Sequence, residues 1–472
     1  MKKLFVSLLC IVLVGCTVNE ETTDACVLDG KTVCYDEETN EILIEEKAKI
    51  RIGGLEKKFE EALIQLWDET YPEHAGLLVP SSESYDAVTD FLSNSRTNDI
   101  VYTTEEIATY YMDKLYPIEK SITSVAITES KMEPILGNIQ NYFLPYSAEG
   151  VTFVYNKTML EALGIDTTTD DNGDRLPDAF DTWEEIFVLA DTWAQTPPMY
   201  KNKEVLITFP FALNEMSMSY FMLTSNGFRL FPENVGSQPG FDRDTFTKAL
   251  WFVREIGNHT LASKKINTKE GKNIVVSYRP YEASEYIWQW ESALTQELAP
   301  FSLIASWMSL DEAVTHTEAE FIPAPFPTFE ETRQSSMITY KGFAIKNTTH
   351  YPSAANFVLQ FLRSNEVMQL FATHASELPY MYSNHTLVFD DSMKENWMYA
   401  LQYGHHIPLL GLPENVYTSA LSGYYEIEWN DLLVRLVGKQ ISPKQVASTI
   451  AQRYEAWYKE KSTINELEDE LK

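Results

Sequence analysis

The stretch Asp170-Asp171-Asn172-Gly173-Asp174-Arg175-Leu176-Pro177-Asp178-Ala179-Phe180-Asp181 crowds oxygen-bearing side chains at a spacing that chemistry can use. Counted from Asp170, side-chain oxygens fall at positions 1, 3, 5, 9 and 12, on Asp170, Asn172, Asp174, Asp178 and Asp181. Leu176 offers its carbonyl at position 7. That is the ligand spacing of an EF-hand calcium loop. A hard cation needs a dense oxygen array, and carboxylates this close repel one another without one. The stretch departs from the pattern at Arg175, where a glycine makes the turn, and at Asp181, where a glutamate closes the loop. The alternative is an acidic surface turn in which Asp181 caps the next helix. The expectation is a structural calcium ion and no catalytic cofactor.

Catalytic signatures are absent from the sequence: there is no Gly-x-Ser-x-Gly, no His-Glu-x-x-His and no phosphate loop. His405 and His406 are adjacent, so they point apart on a helix or a strand and make a poor metal or catalytic pair. A glycosidase built on two carboxylates has no fixed sequence spacing. A secreted carbohydrate-active enzyme therefore stays open as an alternative, as does a peptide-binding or adhesive surface lipoprotein.

The start of the chain carries addressing chemistry. Lys2 and Lys3 precede an apolar run from Leu4 to Val14, broken by Ser7. The run is too short to span a membrane and reads as a signal peptide over 1–15. It ends in Leu13-Val14-Gly15-Cys16, which resembles a bacterial lipobox. That resemblance implies cleavage before Cys16, a diacylglycerol on its sulfur, and a protein lipid-anchored at the extracellular face of the bacterial cytoplasmic membrane. An ordinary signal peptide containing cysteines is the other reading. Residues 16–41 read as a polar tether. Within it, Cys26 and Cys34 flank the turn pair Asp29-Gly30 and form either a disulfide-closed hairpin or two free thiols.

About 430 residues follow, enough for two or three domains. Net charge is −32, from 37 basic and 69 acidic residues. Such an acid excess argues against nucleic acid and against an anionic ligand, and suits a neutral or cationic one. From Ile42 onward short strands and helices alternate. Ile42-Leu43-Ile44, Ile50-Arg51-Ile52, Leu77-Leu78-Val79 and Asp99-Ile100-Val101-Tyr102 read as strands. Leu55, Phe59, Leu63 and Leu66-Trp67 line one face of a helix. Pro352-Ser353 opens a helix with Phe357, Val358, Phe361 and Leu362 on one side, and Ser364-Asn365-Glu366 restarts it. The rhythm predicts an α/β fold with mostly parallel, helix-flanked sheets.

Glu149-Gly150-Val151-Thr152-Phe153-Val154-Tyr155-Asn156-Lys157, then Leu163-Gly164-Ile165, then Asp181-Thr182-Trp183-Glu184-Glu185-Ile186, resembles family 1 of the extracellular solute-binding proteins, whose best-known members are the maltose/maltodextrin-binding proteins of ABC importers. Asp99-Ile100-Val101, Asn226-Gly227, Phe321-Ile322-Pro323-Ala324-Pro325-Phe326-Pro327, Gly342-Phe343-Ala344-Ile345 and Gly438-Lys439-Gln440-Ile441-Ser442 follow in the family's order. The resemblance covers roughly 42–458 and is weakest at 166–181 and 264–320. It implies two α/β lobes joined by three hinge crossings, expected near 146–149, 321–327 and 388–393. The lobes would comprise 42–148 with 322–390, and 149–321 with 391–460, followed by a charged tail over 461–472.

The resemblance also implies a function: a monomer, not an enzyme, that closes on a neutral carbohydrate and delivers it to permease subunits served by a separate ATPase. Carboxylates take hydrogen bonds from sugar hydroxyls and aromatic rings cover the apolar faces. At matching positions stand Glu106, Glu149, Tyr220, Trp307, Tyr424 and Tyr425. Some oligosaccharide-binding relatives carry loops similar to 170–181.

Overall fold

Whether an apolar run becomes a core strand or a crossing between lobes is decided by what it pairs with, and periodicity alone does not reveal that. The computed structural model describes residues 32–472, apart from 37, 82–89, 92–97, 136, 212, 214–215, 234–236, 260–261, 268–272, 279–293, 408–422, 424–425 and 472. Side chains are also left undescribed at 262–267, 273–278, 311–312 and 464–471.

The first lobe begins with β1 (Ile52–Gly53) and β2 (Ile100–Thr104), paired in parallel, with helix α1 (Lys57–Thr70) between them. Ile50 bridges Leu78 in parallel as well. Helix α1 buries Phe59, Leu63 and Trp67, the face expected from their spacing. Helix α2 (Glu105–Tyr110) grows straight from β2, its first turn capped by the Thr104 hydroxyl, which accepts from the Ile107 N–H. After β3 (Leu115–Tyr116), strand β4 (Leu144–Asn156) runs for 13 residues, a span of roughly 40 Å.

The second lobe holds α3 (Trp183–Gln195), α4 (Met216–Leu223), α5 (Asp244–His259), β5 (Phe301–Ala305) and β6 (Phe321–Ala324). Thr182 and Glu185 form a capping box on α3, so Thr182 and not Asp181 caps that helix. The chain returns along β7 (Met337–Lys346) to α6 (Pro352–Leu362) and α7 (Asn365–His374). Helix α8 (Ser392–Leu401) then packs on β6, β8 (His405–His406) pairs with the start of β7, and the chain ends in α9 (Trp429–Val437) and α10 (Pro443–Leu471).

The eight strands form one sheet, ordered β1-β2-β7-β4-β6, with β3 and β8 beside β7 and β5 beside β4. The start of β4 pairs with β7 and its end with β5 and β6, all antiparallel, because these strands run back and forth between lobes. One strand thus belongs to both lobes. Two aromatic cores flank it. In the first, Phe59 meets Phe371 at 5.0 Å and Tyr146 meets Phe343 at 4.7 Å. In the second, Phe153, Trp183, Phe209 and Phe221 pack together, and Phe221 stacks on Phe326 at 4.5 Å. Each fully buried ring of this kind contributes about 2–3 kcal/mol.

The expected crossing at 146–149 falls within β4. The second lies further along the chain than expected: Ala324, Phe326 and Met337 still pack in the second core, so the return comes at β7 and not at 321–327. Helix α8, which follows the expected crossing at 388–393, packs on β6 and joins the 170–181 loop through Arg175 and Glu395 at 2.7 Å. The expected tether is also shorter. Cys34 is buried, and its N–H donates to the Ser353 Oγ at 3.0 Å. Tyr35 bridges Ile42, and its hydroxyl donates to Glu119 at 2.6 Å. This segment is docked on the first lobe. Cys34 is disulfide-bonded; Cys26, its expected partner, and Cys16 lie outside the described residues.

Candidate functional site

At the point where β4 leaves the first lobe, Glu149 opposes Thr339 of β7 along one edge. Along the other edge Gly150 donates its N–H to the Ser306 Oγ at 3.1 Å and accepts from the Ser306 N–H at 2.9 Å. Strands β4 and β5 are antiparallel with Val151 opposite Ala305, and past Ala305 the chain turns through Ser306 and Trp307, the Met308 N–H returning to the Ala305 carbonyl at 3.0 Å. Glu149 shares its face with Val151 and Phe153, which enter the second core. Glu149 therefore sits where β4 passes from one lobe to the other. Trp307 is 54% exposed, unusual for an indole in a chain that buries most of its rings.

Lys341 of β7 joins Glu149. Its Nζ lies 2.7 Å from Glu149 Oε1 and 2.8 Å from Glu377 Oε1. The other Glu377 oxygen accepts from the Ser147 hydroxyl at 3.0 Å and from the Tyr102 hydroxyl. Burial alone would lower the Lys341 pKa, but the hydrogen bonds and charges of Glu149 and Glu377 outweigh it and hold the ammonium above the ordinary lysine value. Burial and the Glu377 charge push the Tyr102 phenol well up, so it stays a donor. The register of β4 against β7 slips between Lys341 and Gly342, a bulge of the kind that re-aims a side chain. Gly342 is required there: an added Cβ would lie 2.1 Å from the Leu144 carbonyl oxygen. Sequence reading missed Lys341, Glu377 and Tyr102, and no local motif marks them.

Other expected site residues sit elsewhere. Glu106 lies in the first turn of α2, is 6% exposed, and its charge acts on His406 of β8. Tyr220 is wholly buried on α4, and its hydroxyl meets His405 Nδ1 at 3.0 Å. A ring with no exposed face is not a ligand platform, so the aromatic role expected of Tyr220 is corrected to core packing. Tyr424 and Tyr425 lie outside the described residues.

The histidine pair does point apart, and each ring serves a different lobe. His405 meets Tyr220 of the second lobe, and burial, helped by the Arg229 charge, pushes its pKa down to about 3. His406 meets Glu105 of the first lobe and stacks on Tyr340 at 4.9 Å. Burial opposes its charge, but Glu105 outweighs burial and raises its pKa. Glu133 adds a bond between the lobes, accepting from Arg229 and from the His406 N–H.

In the acidic loop, Asp170 accepts from the N–H groups of Gly173, Asp174 and Arg175. Asp178 accepts from the Asp171 N–H, and the Asn172 amide donates to Asp181 at 2.9 Å. The Leu176 side chain is buried in the second core. Arg175 has φ 66°, the left-handed turn that a glycine ordinarily supplies. Asp174 and Asp181 face Arg333, whose Nη2 donates to both, to Asp181 at 3.2 Å. Burial pushes the Asp181 carboxyl up to about 6, with Arg333 opposing and Asp174 adding to the rise. Among the described residues no three His, Cys, Asp or Glu side chains gather closely enough to hold a metal ion. Arg333 supplies positive charge beside Asp174 and Asp181 of the loop.

Among the described residues no helix is long and apolar enough to cross a membrane. No protein-family model matches the chain, and no curated protein sequence does. The fold has solved counterparts. An extracellular solute-binding protein from Staphylococcus aureus, in complex with maltose, matches with a TM-score of 0.60 at 12% identity, over 88% of this chain and 99% of that one. The maltose-binding periplasmic protein MalE from Listeria monocytogenes, in complex with maltose, matches with a TM-score of 0.61 at 13% identity, again over 88% and 99%. At such identity the likeness is one of fold: two α/β lobes with a cleft between them.

Proposed function

We propose that this chain is the extracytoplasmic substrate-binding component of an ABC importer and captures a neutral carbohydrate between its lobes. The observation that carries the reading is the Glu149 carboxylate, held where β4 passes between the lobes, with an exposed indole, Trp307, just past the end of the neighbouring strand β5. An exposed indole offers an apolar face to the C–H side of a sugar ring, and a carboxylate beside it accepts from ring hydroxyls. The two-lobed counterparts named above were solved with maltose, which supports a sugar over other neutral ligands. Lobes joined by β4 and β7 can swing together and enclose the ligand, which gives a permease a shape to recognise.

Thermal melts of the folded protein with glucose, galactose, mannose, maltose and maltotriose test this. A bound sugar raises the melting temperature by mass action. A flat response across the panel would sink the reading. Hydrolysis of any of them would favour the glycosidase instead. Anchoring through Cys16 is part of the same proposal, motivated by Leu13-Val14-Gly15-Cys16. Cys16→Ala should move the protein out of the membrane fraction, and a variant that stays there would refute the anchor.

A further inference from the structure

Three ion pairs lie on or beside strand β7, and they differ in what they leave over. Lys346 and Asp90 are sealed, with side chains 3% and 5% exposed. Lys341 with Glu149 and Glu377 is not sealed: these side chains are 27%, 22% and 21% exposed, at the cleft floor. An ammonium has three donors. Lys341 spends one on Glu149 and one on Glu377, which leaves a third. Glu149 spends one oxygen on Lys341 and keeps Oε2.

We infer that Lys341 and Glu149 act as a donor–acceptor couple that reads two neighbouring hydroxyls of a sugar ring held between the lobes. This deepens the importer reading and rests on it. A vicinal diol has one hydroxyl that can donate to Glu149 Oε2 while its neighbour accepts from Lys341 Nζ. The 2.7 Å between Lys341 Nζ and Glu149 Oε1 sets the two groups at a separation that suits hydroxyls on adjacent ring carbons. Charge-assisted bonds of both kinds outweigh those to neutral groups. A ligand lacking either hydroxyl leaves a half-buried charge facing nothing, which is how a polar site discriminates. Glu377 is a positioning residue: Tyr102 and Ser147 fix its far oxygen, and its near oxygen fixes Lys341. The bulge at Lys341 and the close approach at Gly342 set the direction from the backbone.

The test uses the whole folded chain and the tightest binder of the sugar panel, with its set of monodeoxy analogues, by titration calorimetry. A wild type that binds no sugar refutes the importer reading, whatever Lys341 does. Given a binding sugar, Lys341→Met should lose roughly ten- to a hundredfold in affinity. Wild type should discriminate sharply against two analogues, deoxygenated at adjacent carbons, and Lys341→Met should cease to discriminate against one of them. Lys341→Arg, which keeps the pairing but moves the donors, is run alongside in case the Met variant does not fold. It should weaken binding of the parent sugar more than of that same analogue. Glu377→Gln should lose discrimination in the same direction. Parent affinity equal to wild type in a folded Lys341 variant overturns the inference, and so does an undiminished penalty for every analogue.

Discussion

Two sites place one cation between two carboxylates, and they do different work. In the second lobe Arg333 stands between Asp174 and Asp181; at the cleft floor Lys341 stands between Glu149 and Glu377. The charges sum alike. The guanidinium also donates to the Phe326 carbonyl at 2.7 Å, so its fork is engaged on protein, and its side chain is 18% exposed. The ammonium is more open and keeps a proton to give. A cation among acids is structural when the fold uses up its donors, and available to a ligand when the fold leaves one over in a cleft.

Removing Arg333 should have the largest effect. Arg333→Ala strands two half-buried acids and should cost about 2–4 kcal/mol of stability by chemical denaturation, with sugar affinity unchanged. A loss of affinity at constant stability would erase the contrast between the two sites. Calcium refines this test. It should raise the melting temperature of Arg333→Ala and leave wild type unmoved; a response in wild type would mean that the loop takes the ion with Arg333 in place.

The cleft should show the opposite pattern. Trp307→Ala should cost about 1–3 kcal/mol of affinity and little stability, since the ring is already half in solvent. Glu149→Gln keeps the shape and should cost roughly 1–2 kcal/mol of affinity. Both losses would appear in calorimetric titration, and unchanged affinity in both variants would move the site away from β4.

The smallest effect should come from His406. Its pKa is raised in the folded protein, so its contribution is full below the unfolded value of 6.5 and fades as pH rises through the folded value. Stability of wild type relative to His406→Asn should therefore decline across neutral and mildly alkaline pH. A flat difference would show that the Glu105 pair carries no proton linkage.

Local features were legible in the sequence. The apolar face of α1, the Ser364 cap on α7 and the Asn156 cap on the helix at Lys157–Ala162 depend on residues a few places apart. What joins distant segments was not legible. Glu149 and Lys341 are 192 positions apart, and Arg333 reaches Asp174 across 159. The second crossing was misplaced because 321–327 and β7 are both apolar runs, and only pairing with the first half of β4 distinguishes them. Tyr220 was misjudged because a tyrosine at helical spacing reads alike whether its ring faces a core or a cleft.

The docked segment at Cys34 and Tyr35 has a mechanical consequence. It fastens the start of the described chain to the first lobe, through Ser353 and Glu119. A leader held at a membrane would load that lobe first and make it the stator. The second lobe, connected to it by β4 and β7, would be the rotor, and any torque developed on closure would be delivered at its outer face.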